Sequence, residues 1–103
     1  VLHICGRTER IVPDMAETRF DGLSLAEETN IAGIKPLVGD AKILGNVSSK
    51  KTLVFGSPED VKTEARKALE AGVDLLEPGC GISPVTPLKN IKAMVEARDE
   101  FYA

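Results

Sequence analysis

Aromatic side chains are scarce in this 103-residue chain, at 4% of positions, and there is no Trp. A core built on stacked rings is excluded, so the interior must be aliphatic: Leu, Ile, Val and Ala. An excess of positive charge is also missing. Thirteen Lys and Arg stand against 16 Asp and Glu, for a net charge of −3. The two signs are interspersed and no basic stripe exists to neutralise phosphates, which argues against a nucleic-acid partner. No apolar run is long enough to span a bilayer and no signal-peptide pattern is present, so the expected location is the cytoplasm, with no membrane partner. Cysteine is limited to Cys5 and Cys80, and histidine to His3. Two cysteines do not make a disulfide framework, although a single Cys5–Cys80 bridge is compatible with an oxidising compartment.

What is present is ordinary for one small domain: 43% apolar and 28% charged residues. The chain opens in an apolar segment, Val1 to Cys5, with neither Met nor a leading loop, and reads as truncated. Strand and helix signals then alternate four times. Val1 to Cys5 is the first strand, ending at Gly6. Thr8 is positioned to cap a helix carrying Ile11, Val12, Met15 and Ala16, delayed or kinked by Pro13. Arg19 to Ser24 is a weaker strand, and Ser24 with Glu27 has the spacing of a capping box opening a second helix. Ala41 to Leu44 is the third strand, ending at Gly45-Asn46. Leu53 to Phe55 forms a short apolar turn. Ser57-Pro58-Glu59-Asp60 is the clearest helix start, with a Ser cap, Pro in the first turn and acids at the positive helix end. That helix runs to Gly72, a natural stop. Val73 to Leu76 is the fourth strand, and Thr86-Pro87 begins a last helix.

Such alternation with short connections predicts an α/β fold, a parallel sheet of four βα units spanning residues 1–103 as a single unit. Four units are half of an eight-stranded βα barrel, or a small open three-layer sheet, and the pattern alone fits both.

His3 and Cys5 are two apart on a strand and so point to the same face, near its carboxyl end. Active sites of parallel α/β folds gather at that end. A buried Cys and a capped His would give the same pair, but Cys80 adds to it: within Gly79-Cys80-Gly81 it follows the fourth strand, and that loop opens at the same end. Three protein ligands with one open position is the pattern of a catalytic zinc site, whereas structural sites are closed with four. Zinc deprotonates a bound thiol, and two cysteine ligands add negative charge that keeps it nucleophilic. Thiol alkylation is favoured over hydrolysis by zinc-bound water. Asn46 is either a substrate-orienting amide or a turn residue. Asp21 is either an acceptor for a metal-bound His or a solvated turn acid. Glu77 faces the site or the solvent. Arg7, Lys50 and Lys51 meet an anionic substrate group or are simply solvated.

The segments His3-Ile4-Cys5-Gly6, Asp21-Gly22-Leu23-Ser24, Leu44-Gly45-Asn46-Val47, Gly56-Ser57-Pro58-Glu59-Asp60-Val61 and Gly79-Cys80-Gly81-Ile82 fall in order, followed by Thr86-Pro87 and Asn90. Together they resemble the C-terminal part of methylcobalamin:coenzyme M methyltransferases, within the uroporphyrinogen decarboxylase superfamily. The resemblance implies the last four units of a (β/α)8 TIM-type barrel. It implies zinc on His3, Cys5 and Cys80, with coenzyme M bound as a thiolate and methylcobalamin as methyl donor. The partner would be a corrinoid protein or free methylcobalamin, and the pathway methanogenesis from methanol or methylamines. Beside these, Asn46 and Asp21 are the substrate contacts expected from the reading of the residues themselves. The four units alone would have little or no activity, and their open edges would invite dimerisation. The rival readings are a decarboxylase-like lyase of the same superfamily, which does not need the three ligands, and a non-catalytic module.

Overall fold

The structure is a computed structural model that describes residues 1–103. Four strands, β1 (Leu2–Ile4), β2 (Gly22–Leu25), β3 (Lys42–Val47) and β4 (Leu75–Pro78), form one sheet in the order β1-β2-β3-β4, with every neighbouring pair parallel. Helices α1 (Val12–Glu17), α2 (Ile31–Ile34), α3 (Thr52–Phe55), α4 (Pro58–Ala71) and α5 (Leu88–Phe101) lie in the connections and after β4. A 3-10 turn over Lys35–Leu37, containing Pro36, extends α2.

The register explains how the two sheet faces differ. Leu2 pairs with Leu23 and Leu23 with Ile43, so these side chains share a face with Ile4, Leu25 and Val47. That face meets the helices. Leu23, Leu25 and Ile43 pack with Val12 and Met15 of α1, Ile31 and Ile34 of α2, and Ala68 and Leu69 of α4. A second cluster joins Val47 and Leu53 to Val61 and Ala65 of α4 and Ala93, Met94 and Ala97 of α5. Full burial of each Leu or Ile contributes about 1.5–3 kcal/mol, which offsets the thin supply of aromatics. The other face carries His3, Ser24, Leu44, Asn46, Leu75 and Glu77. Leu75 on it is 56% exposed. An open three-layer sheet would cover both faces. One covered face, with helices outside and a polar inner face, is the arrangement of four successive βα units of a TIM-type barrel.

Local signals account for both ends of α4. At α4 the Ser57 hydroxyl accepts from the Asp60 N–H, and the Asp60 carboxylate accepts from the Ser57 N–H, so the expected cap is reciprocal. Gly72 closes this helix at φ 113°, a left-handed conformation that favours glycine, with its N–H donating to Ala68 and Leu69. The Ser24–Glu27 capping box does not form. Ser24 is inside β2, because Leu23 and Leu25 on either side are fully buried against the helices. Asn30 caps α2 instead, its side chain accepting from the Gly33 N–H. β3 also runs past its expected end and includes Gly45 and Asn46.

Candidate metal centre

Strand periodicity places His3 on the inner face of β1, and Cys5 follows one residue beyond the strand end. Their side chains meet, with His3 Nε2 3.1 Å from Cys5 Sγ. Cys80 arrives from the other side. It sits two residues after β4, the opposite edge of the sheet, yet its Sγ is 2.9 Å from that of Cys5. Only a curved sheet brings the carboxyl ends of its two edge strands together in this way. One ligand atom from each of His3, Cys5 and Cys80 lies within 4.8 Å of the others. Tetrahedral zinc with Zn–S near 2.3 Å holds two sulfurs about 3.8 Å apart. The thiols need only spread by roughly an ångström from their hydrogen-bonded positions to reach that span. The donor set of one imidazole and two sulfurs suits zinc in both number and chemistry.

Both cysteines are free thiols. The hydrogen bond with Cys5 is the chief influence holding Cys80 below the ordinary thiol range, with help from the Gly81 N–H. The same hydrogen bond to Cys80, with desolvation, pushes Cys5 up, while the positive charge of Lys50 pulls it down. The contact between the two sulfurs thus shifts them in opposite directions, Cys80 down and Cys5 up.

The two glycines around Cys80 differ in their surroundings. A Cβ on Gly79 would lie 2.8 Å from the Glu27 backbone nitrogen and 3.1 Å from Ala26 Cα. Gly79 thus lets the β4 loop pass directly over the β2–α2 loop, and Gly81 has nothing nearby. Glu27, expected in a cap, lies here too, with burial raising its carboxyl above the ordinary range.

The two expected substrate contacts, Asp21 and Asn46, lie at opposite ends of the sheet. Asp21 precedes β2 and lies at the amino-terminal end of the sheet, where it lines an open depression with Arg19, Phe20 and Lys42. It is at the wrong end to accept from His3. Asn46 is at the correct end, but its amide nitrogen donates to the carbonyls of Ala26 and Thr29, at 3.1 and 3.2 Å. Its N–H groups hold the β2–α2 loop and are not available to a substrate. The residues that support His3 are Ser24, expected in a helix cap, and Glu77, expected to face either the site or the solvent. Ser24 Oγ is 2.8 Å from His3 Nδ1, and the Ser24 hydroxyl donates to Glu77 Oε1. Glu77 therefore faces the site. Asn90, part of the motif set, is fully buried and donates to the carbonyls of Leu53 and Gly56, a structural tie between α5 and the end of α3.

Comparison with known proteins identifies the family and the fold. Residues 1–101 match the family model for uroporphyrinogen decarboxylase (URO-D). The methylcobamide:CoM methyltransferase MtaA of Methanosarcina barkeri is 52% identical over 105 aligned residues, covering all of this chain and 31% of that protein. The methylcobamide:CoM methyltransferase MtbA of Methanosarcina acetivorans is 40% identical, covering 98% of this chain and 30% of that one. A solved methyltransferase from Methanosarcina mazei superposes with a TM-score of 0.94 at 52% identity, over 99% of this chain and 31% of the other. The chain thus spans about a third of the length of the relatives it matches. With a model match over nearly its whole length, it belongs to the uroporphyrinogen decarboxylase family.

Proposed function

We propose that these residues form the zinc-binding arc of a methylcobamide:coenzyme M methyltransferase, the C-terminal four βα units of its barrel. The observation that carries the reading is the convergence of His3, Cys5 and Cys80 from opposite sheet edges onto one point. The names of relatives at 52% and 40% identity support the reaction, transfer of a methyl group from a methylated corrinoid to coenzyme M. The decarboxylase branch of the family has no need of this ligand set.

In this reading His3, Cys5 and Cys80 hold the metal. Bound there, zinc would supply the positive charge that keeps an incoming thiol ionised. The two cysteine sulfurs add electron density that preserves the nucleophilicity of that thiolate. In the same reading Lys50 meets an anionic group on the thiol substrate. The methyl donor is methylcobalamin, free or on a corrinoid protein, and the setting is the cytoplasm of a cell that makes methane. No helix here is long and apolar enough to cross a membrane. The edge strands β1 and β4 leave unpaired backbone groups for the rest of a barrel, or for a second copy, to meet.

The test is metal analysis of protein purified under reducing, zinc-replete conditions. One zinc per chain is expected, and Cys80→Ser should weaken binding by at least on the order of 100-fold, more than loss of a ligand's supporting partner typically costs. Absence of zinc from the wild-type protein would end the reading. Methyl transfer by these 103 residues alone is expected to be slight, because one arc leaves the substrate pocket open on its far side.

A further inference from the structure

We propose that Ser24 and Glu77 are positioning residues that fix the tautomer of His3, keeping the proton on Nδ1 and leaving Nε2 free as the ligand atom. The inference follows from counting protons along a chain of three side chains from three strands. Glu77, on β4, is acceptor-only as a carboxylate. The Ser24 hydroxyl, on β2, has one proton, and it is donated to Glu77 Oε1. The Ser24 oxygen can then only accept from its other partner, which is His3 Nδ1 at 2.8 Å. A donor at Nδ1 requires the neutral ring to carry its proton there, so the lone pair is on Nε2. That nitrogen points at Cys5 Sγ, 3.1 Å away, on the side where Cys80 also converges.

The surroundings favour this order of protons over its reverse. Ser24 is only 6% exposed, so water does not readily replace either partner. In the reverse order the serine would donate to Nδ1 and face Glu77 with a lone pair, leaving two acceptors opposed in a half-buried site, a costly arrangement. The relay also bears on the metal: a ligating histidine whose other ring nitrogen donates toward a carboxylate is better oriented and more basic. This second consequence rests on the zinc reading, whereas the tautomer does not.

The experiment exploits His3 being the chain's single histidine. Long-range proton–nitrogen correlation spectra of nitrogen-15-labelled, metal-free protein, recorded over a pH series up to the plateau at which the signals no longer move, report one ring. In the wild type a protonated Nδ1 and an unprotonated Nε2 are expected. Ser24→Ala and Glu77→Ala should both lose this preference, and Glu77→Gln, which retains an acceptor for the serine, should restore it. Circular dichroism of each variant controls for folding. A wild-type ring protonated on Nε2, or a Ser24→Ala ring unchanged from wild type, would overturn the proposal. Zinc affinity by chelator competition is the second arm. Ser24→Ala should lower it 10–100-fold, and Ser24→Ala with Glu77→Ala should cost no more than either alone. Equal affinity in Ser24→Ala and wild type would remove the metal consequence, and failure of the wild type to bind zinc would count against the metal reading while the spectra still decide the tautomer.

Discussion

Cys5 and Cys80 are 75 positions apart in sequence and follow the two edge strands of the sheet, yet their sulfurs lie 2.9 Å apart. A disulfide needs them at about 2.05 Å, less than an ångström closer. The metal-free, reduced protein should therefore be oxidised by diamide, which takes up the two thiol hydrogens, to a single intramolecular disulfide. Intact-mass measurement and peptide mapping would show it. Prior addition of zinc should protect both thiols. Intermolecular products only would mean that the two sulfurs do not share a site, and equal oxidation with and without zinc would mean that they do not hold the metal.

Asn90 holds two elements together with no contribution from charge. Its amide nitrogen donates at 2.9 Å to the carbonyls of both Leu53 and Gly56 in a fully buried position. Asn90→Ala would leave both carbonyls unpaired in the interior, at a cost of about 2 kcal/mol or more. The urea midpoint should fall with an unchanged slope. Zinc stoichiometry of the folded variant should not change, because the residue is part of the scaffold and not of the metal centre. An unaltered midpoint would show that water reaches these carbonyls.

Asn46 and Asp21 distinguish a residue at the site from one merely close in sequence to its motifs. Asn46→Asp would set a carboxylate, which cannot donate, against the Ala26 and Thr29 carbonyls. It should destabilise more than Asn46→Ala, by about 2–3 kcal/mol relative to wild type in chemical denaturation. A substrate-facing amide would tolerate the change without loss of stability. Asp21→Asn, at the far end of the sheet, should leave zinc affinity as it is in wild type.

These cases show which parts of the molecule could be read from the sequence. His3 and Cys5 were legible as a same-face pair because strand side chains alternate with period two. The α4 cap was legible because Ser57, Pro58 and Asp60 act within four residues of one another. Ser24 was misread because a short-range motif, Ser then Glu three later, matches a helix cap as well as a strand does. The pairing of Leu23 and Leu25 with their neighbours in the core decides the matter, and that information is not local. The meeting of Cys80 with Cys5 depends on sheet curvature summed over four strands. The link from Ser24 to Glu77 spans 53 positions and has no sequence signature. Parity along so short a strand left Glu77 undecided, and the register of β3 with β4 supplies what was missing.

Asp74 ties the start of β4 to its neighbours and should make stability depend on pH. Burial alone would raise its carboxyl, but the Ile43 N–H at 2.9 Å and the Lys35 ammonium at 3.1 Å outweigh this and hold it below the usual range. A depressed carboxyl in the folded state means that the unfolded chain takes up the proton first as pH falls. The stabilisation is thus fully present above the unfolded value, near 3.9, and is lost as pH drops through the folded one. Asp74→Ala removes the acceptor for Ile43 and should cost about 1–3 kcal/mol near neutrality. The gap between wild type and variant should narrow as pH is lowered from roughly 6 to 2. Denaturant midpoints measured across that range would check it. A gap that is constant with pH would mean that the aspartate acts through packing and not through its charge.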